Sequence, residues 1–364
     1  MTRTHIGFFG RRNAGKSTLA NAITGQAMSV VSPTPGTTTD PVRKTMELLP
    51  IGPVMIIDTP GFDDDGDLGE LRVATARKIL REVDIAVLVV DVNIGMGTVE
   101  EELISLFGDT PYLIAKTHCE LDIETLKQQI ATLAAQKKEP ALLADLVKPG
   151  DVVVLVAPID ESAPKDRMIL PQSHAIRDIL DAHAICVVAQ VDELAHVLAN
   201  LANSPALVIT DSQVFRQVAT IVPQDVPLTS FSILFARYKG FLRSAVAGIE
   251  ALAELPTGAN ILIAEGCTHH RQCDDIGTVK LPHMIEQKLG RTFDFEFCAG
   301  HAFPEDLSAF SLVLHCGGCM LNAKAVQTRR DLALARGVPF TNYGVAIAWL
   351  TGILERCLLD GTLR

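Results

Sequence analysis

The run Gly10-Arg11-Arg12-Asn13-Ala14-Gly15-Lys16-Ser17 constrains this chain more than any other stretch. It has the form G-x-x-x-x-G-K-S, a loop whose backbone N–H groups wrap phosphates. Such a loop works in one setting. A strand must lead in and a helix must lead out, so that the helix N-terminus faces the anion. Both are legible: residues 5–9 read as a buried strand, and residues 18–24 as a helix that Gly25 ends. The fold class that follows is α/β. Lys16 is placed to reach the β/γ oxygens, and the Ser17 hydroxyl to ligate magnesium. Gly10, Asn13, Ala14, Gly15 and Thr18 complete the expected nucleotide cradle.

Two further pieces follow in order. Residues 35–40 form a threonine-rich loop, and the strand 54–57 runs into Asp58-Thr59-Pro60-Gly61. A strand ending in Asp then Gly brings a carboxylate to the magnesium and a flexible amide to the γ-phosphate. In this order the three pieces resemble the translation-factor-type GTPases, nearest the subgroup that contains TrmE and Era. The resemblance implies GTP with magnesium, and a catalytic set of Lys16, Thr38, Asp58 and Gly61. Thr38 becomes the switch threonine and Asp58 a magnesium ligand through water. Asn13 becomes the holder of a potassium ion that substitutes for an arginine finger. Phe62 stands where many such proteins carry a catalytic glutamine.

Residues 85–90 and 112–115 read as further core strands. After the second, the family motif Asn-Lys-x-Asp is replaced by Ala115-Lys116-Thr117-His118. The lysine that stacks on the base is kept, as Lys116. The carboxylate that reads guanine is not, so Asp122 or Glu120 is the expected substitute and base selectivity is expected to weaken. Residues 152–156 are expected as this region's last strand, with 157–160 as a base-contacting loop.

A connector spans residues 158–171, and then the pattern restarts. Strands are expected at 184–189, 206–210 and 227–231, with helices at 192–202, 211–221 and 232–255. A three-stranded parallel sheet buries little surface alone, so self-association is the natural remedy. In the long helix, Phe235, Leu242, Val246, Ile249 and Leu252 recur near helical spacing, as in a core or a dimer seam.

The last region alternates strands at 260–264, 292–297, 310–314 and 338–341 with helices at 281–289, 320–335 and 344–359. Cys267-Thr268-His269 follows its first strand, and His315-Cys316-Gly317-Gly318-Cys319 follows its third. If those strands are parallel neighbours, both loops leave the carboxyl edge of one sheet, where such folds place ligands. Zinc accepts a Cys3His set, and iron–sulfur clusters take thiolates, usually four. The residues alone fit either.

Charge and cysteine content narrow the partners. The formal net charge is −11, against a phosphate-backbone partner, which calls for a basic face. The apolar stretch 344–354 is too short to span a bilayer. Residues 4–9 already read as a strand rather than a targeting segment, so a cytoplasmic protein is expected, with neither nucleic acid nor membrane as partner. Its eight cysteines then read as reduced thiols, metal ligands or buried apolar groups. Cys119, Cys186 and Cys357 are expected to be buried thiols.

The order of regions, the Cys-x-His…His-Cys-x-x-Cys spacing, the flanking Cys267-to-Gly277 run and the stretch from Pro158 to Gln172 resemble the FeFe-hydrogenase maturation GTPases, the HydF family. The resemblance spans the whole chain. It implies three domains: a P-loop GTPase domain over 1–163, a small parallel α/β dimerisation domain over 164–257, and an α/β iron–sulfur cluster-binding domain over 258–364. It implies a 4Fe-4S cluster on Cys267, Cys316 and Cys319, with His269 and His315 as candidate further ligands. It implies a two-iron subcluster as cargo, with apo FeFe-hydrogenase, radical-SAM maturases and a second copy of the chain as partners. Two other readings compete: a regulatory GTPase switch with structural zinc, and an RNA-processing GTPase, which the acidic balance disfavours.

Overall fold

The computed structural model describes residues 3–25, 41–62, 67–136, 140–159, 168–266, 276–300, 302–359 and 361–363. They fall into two units, Met1–Lys138 and Glu139–Arg364. Thr38, Cys267, His269 and Cys273 lie outside the described residues.

The first unit runs β1 (Thr4–Phe9), α1 (Lys16–Thr24), β2 (Val42–Leu48), β3 (Gly52–Asp58), α2 (Asp67–Leu80), β4 (Ile85–Asp91), α3 (Thr98–Phe107), β5 (Tyr112–Thr117) and α4 (Ile123–Gln136). Its five-stranded sheet has the order β2-β3-β1-β4-β5, with β2 antiparallel and the rest parallel. The middle strands are apolar on both faces because both are covered. Ile6, Phe8, Val87 and Val89 face one core, and Phe9, Ile57, Ala86 and Leu88 the other.

The second unit runs β6 (Val152–Val156), α5 (Leu170–Asp181), β7 (Ile185–Ala189), α6 (Leu194–Asn200), β8 (Leu207–Thr210), α7 (Phe215–Ile221), β9 (Leu228–Ser230), α8 (Phe231–Tyr238) and α9 (Leu242–Glu254). It continues with β10 (Asn260–Glu265), α10 (Leu281–Leu289), β11 (Asp294–Ala299), β12 (Leu312–His315), α11 (Ala323–Ala335), β13 (Phe340–Asn342), α12 (Tyr343–Leu350) and α13 (Leu354–Cys357). Two parallel sheets result, β7-β6-β8-β9 and β11-β10-β12-β13. One buried core, from Leu142 to Leu363, takes in side chains of both.

Three expectations change here. The strand at 152–156 does not complete the first sheet. It pairs with β7 and β8, making the expected three-stranded sheet four-stranded. Residues 157–159 therefore leave the edge of the second unit's sheet rather than that of the first, and the two units divide at 138 rather than at the expected 163. A uniform apolar run marks a buried strand but not which sheet it joins. The helix expected over 232–255 is two helices, because Gly240 takes φ 75° and turns the chain between α8 and α9. Cys119 is exposed and Cys186 half-buried, leaving Cys357 as the fully buried one of the three.

Candidate nucleotide site and metal centre

The phosphate loop lies between β1 and α1. Gly10, Asn13 and Gly15 take φ values of 149°, 60° and 83°, so the loop curls around its own N–H groups. A Cβ on Gly10 would lie 2.3 Å from the Val89 carbonyl oxygen, which holds that position to glycine. Lys16 is buried, and its Nζ donates to the carbonyls of Gly10 (3.1 Å) and Arg11 (2.6 Å). It is thus held across the mouth of the loop. Ser17 Oγ donates to Asp58 Oδ2 at 2.5 Å. Hydroxyl and carboxylate therefore meet where magnesium is expected to join them. Ala14 is buried, and Thr18 lies in the first turn of α1.

Gly61 sits against the loop's backbone: a Cβ there would lie 2.5 Å from Arg12 Cα. Thr59 pins the segment by donating its hydroxyl to Phe8 O at 2.6 Å. Phe62 stacks on Phe9, with ring centroids 6.3 Å apart, so it belongs to the core rather than to a water-positioning role.

The base side departs from expectation. Asp122 does not stand free for guanine. It caps α4, accepting from the Glu124 N–H (3.0 Å) and the Thr125 hydroxyl (2.5 Å), and these bonds hold its carboxyl below the usual range. In sequence a cap and a displaced base-reading carboxylate look alike. His118, at the place of the family's aspartate, takes φ 57° and turns Nε2 toward Asn13 O (3.4 Å) and Asp91 Oδ2 (3.6 Å). Lys116 is exposed near the end of β5, whose next residue, Thr117, donates to Ala14 O at 2.6 Å. Sequence reasoning missed this tie, since one threonine in a strand end carries no signal. Asp122→Ala should therefore leave the GTP-to-ATP preference unchanged in a competition assay while lowering the thermal midpoint of the first unit. A lost preference would restore Asp122 to the base.

The second site lies at the carboxyl edge of the last sheet. β10 and β12 are parallel neighbours, with Ala264 opposite His315, so both cysteine loops leave the same edge. Of the three expected cysteine ligands, Cys316 and Cys319 are among the described residues, both half-buried. Cys316 Sγ accepts the Gly266 N–H at 3.0 Å and the Gly318 N–H at 3.2 Å. Burial pushes its thiol pKa up, and these two amides oppose the rise. Gly266 immediately precedes Cys267, so the first loop begins in contact with the second. Among the described residues no three His, Cys, Asp or Glu side chains converge as a metal group.

Both ring nitrogens of His315 have protein partners in this arrangement. It is fully buried, with Nδ1 2.7 Å from Cys316 O and Nε2 3.1 Å from Arg329 Nη1. Guanidinium only donates, so Nε2 accepts and Nδ1–H donates. Burial and the neighbouring Arg329 push its pKa down to about 3, so the ring is neutral. Both nitrogens are spent on shaping the loop, a use that a Cys-neighbouring histidine does not disclose in sequence.

One residue was not anticipated at all. Lys239, just after α8, is fully buried beneath the cysteine loop. Its Nζ donates to Gly318 O and, at 2.8 Å, to Leu321 O. Burial pushes its pKa down to about 8, against the pull of Cys319 and Cys316. The sequence signal was no more than a lysine just after a largely apolar helix and before a glycine.

The comparisons with known proteins bear on all three regions. Residues 5–118 match a GTPase family described as 50S ribosome-binding. Residues 142–240 match the hydrogen maturase F dimerization domain, and residues 243–359 its tetramerization domain. Those last two matches together cover more than half of the chain. The chain belongs to the hydrogen maturase F family. Its first unit is a GTPase domain and is similar to curated GTPases. The tRNA modification GTPase MnmE of Roseiflexus sp. (strain RS-1) is 40% identical over 131 residues, 36% of this chain and 27% of that protein. The GTPase Era of Caldicellulosiruptor saccharolyticus is 32% identical over 130 residues, 34% of this chain and 43% of its own length. The chain thus spans less than half of each. A solved Era from Aquifex aeolicus bound to GDP and AlF4− is 17% identical with a TM-score of 0.29, covering 82% of this chain and 94% of that one, a likeness too distant to bear on function. Among the described residues no helix is long and apolar enough to cross a membrane.

Proposed function

We propose that this hydrogen maturase F family member is a GTP-hydrolysing scaffold that carries a 4Fe-4S cluster on Cys267, Cys316 and Cys319, and passes a two-iron fragment to a FeFe-hydrogenase apoprotein. The observation that supports it most is the pair of amide donors on Cys316 Sγ, one from each cysteine loop. Backbone N–H groups aimed at a sulfur stabilise a thiolate and are what an iron–sulfur ligand uses. A bound cluster would supply one iron that three thiolates leave open to an exogenous ligand. The chain's own part is to hold the loops. Lys239 ties down the Gly318 and Leu321 carbonyls, and His315 bridges the Cys316 carbonyl to Arg329. The dimerization and tetramerization domains point to a homo-oligomer. Radical-SAM maturases are its proposed partners, and the cytoplasm its proposed compartment.

In the first unit, Lys16 and the loop N–H groups would take the phosphates, and Ser17, Asp58 and Thr38 the magnesium. Asn13, in its left-handed conformation, would help hold potassium. Hydrolysis should then run faster in potassium than in sodium at equal ionic strength, and Asn13→Ala should erase the difference. Equal wild-type rates in the two salts would reduce Asn13 to a loop-shaping role.

Anaerobic purification followed by iron, sulfide and zinc analysis tests the central reading. Iron with sulfide is expected. Zinc without sulfide would make the site structural and the protein a GTPase switch.

A further inference from the structure

The two sheets of the second unit share one plan. In each, the first strand lies between the second and the third, and the fourth follows the third. The sequence repeats with the fold. Val226-Pro227-Leu228-Thr229-Ser230-Phe231 matches Val338-Pro339-Phe340-Thr341-Asn342-Tyr343. Ser230 and Asn342 each cap the following helix by accepting the N–H three residues on, from Ile233 and Val345. Gly240-Phe241-Leu242 then matches Gly352-Ile353-Leu354, with both glycines left-handed, at φ 75° and 78°. Leu170-Pro171 and Leu281-Pro282 open equivalent helices, α5 and α10.

In such a sheet the chain departs in opposite directions from the first and third strands, and the crevice between their carboxyl ends takes the ligand. In the second copy the described loop Cys316–Cys319 leaves β12 at that crevice. In the first copy it lies between β6 and β8, and there the protein has a cavity of about 940 Å³. Pro158, after β6, and Ser212, after β8, line it. So do Arg216, Lys280 and Lys288, with Met284 among the apolar residues, and no Asp or Glu is among the described lining residues. The neighbouring carboxylate, Asp211, accepts the Gln213 N–H at 3.2 Å. Ser212 is 5% exposed, and its hydroxyl has no hydrogen-bond partner among the described residues. A buried hydroxyl without a partner costs free energy that a bound acceptor would recover.

We infer that this cavity is a second ligand site, for a small organic anion with an acidic head and an apolar body. Arg216, Lys280 and Lys288 meet the head, Ser212 donates to it, and Met284 and its apolar neighbours cover the body. None of the residues proposed to hold the anion belongs to the phosphate loop or to Cys316–Cys319, and the inference stands whatever metal those cysteines hold.

The test uses the full-length protein and 8-anilinonaphthalene-1-sulfonate, an apolar anion whose fluorescence reports burial. Saturable binding is expected at one site per chain, displaced by phenyl phosphate, with or without displacement by hexanoate, but not by hexanol. If phenyl phosphate alone displaces it, the head is a phosphate; if hexanoate competes equally, it is any acid. Arg216→Ala with Lys288→Ala should weaken binding by about tenfold or more, since charge-assisted hydrogen bonds are lost. Binding of a fluorescent GDP analogue should be unchanged. Met284→Trp fills the cavity while keeping every charge, and it should also abolish binding, which covers the case of a double variant that fails to fold. Absence of saturable binding, or wild-type affinity in both variants, would overturn the site.

Discussion

Cys316→Ser should leave the anaerobically purified protein with little iron and little sulfide. The serine hydroxyl is far less acidic than a thiol, so it does not supply the anionic ligand that iron requires. Its shorter reach also withdraws the ligand atom from the Gly266 and Gly318 amides, which lie at 3.0 and 3.2 Å from sulfur. At most two thiolates of the proposed set remain, too few to hold a cubane securely. Cys267→Ser and Cys319→Ser should behave alike. Cys119→Ser and Cys186→Ser, remote in sequence from both loops, should keep full iron. His315→Ala should retain most of the iron, because it removes a neutral ring that shapes the loop rather than a ligand. It should lower stability by about 1–3 kcal/mol, the cost of leaving a buried partner such as Arg329 or the Cys316 carbonyl unsatisfied. Wild-type iron in Cys316→Ser would place the cluster on other residues.

Lys16→Ala should reduce GTP hydrolysis by on the order of 10²–10³-fold or more, the usual loss when a charge aimed at the developing phosphate anion is removed. The ammonium already lies across the mouth of the loop, on the Gly10 and Arg11 carbonyls, so nucleotide binding requires little reorganisation. Its removal also takes one donor from each of those two carbonyls, of which the Arg11 carbonyl keeps the Ala14 N–H at 3.3 Å. Iron content should be unchanged, since the phosphate loop and the cysteine loops belong to units with separate cores. Normal hydrolysis in this variant would refute the assignment of the loop. Loss of iron as well would mean that the nucleotide site supports cluster assembly.

Much of this was legible in the sequence, for identifiable reasons. Parallel strands buried on both faces are continuous apolar runs, and β1, β4, β10 and β12 stand out as such. The phosphate loop was legible because its glycines answer to backbone geometry, as Gly10 does against Val89. What was not legible depends on contacts distant along the chain. Val152–Val156 has the composition of either sheet, and only pairing with β7 and β8 decides. Asp122 has the right residue type for the base but spends both oxygens on α4. His315 has the right type and neighbour for a ligand, yet Arg329, fourteen residues on, claims its free nitrogen.

Lys239 belongs to the segment matched by the dimerization domain, and the carbonyls it serves belong to the segment matched by the tetramerization domain. The two are further joined by Gln327, which donates to the Lys239 carbonyl, and by Arg330, which donates to Gly240. A recombination breakpoint at residue 241 would therefore strand two buried carbonyls beside the cysteines and remove the cation that steadies them. The seam between these modules is a poor place for evolution to cut, and the pair is expected to travel through genomes as a single heritable piece.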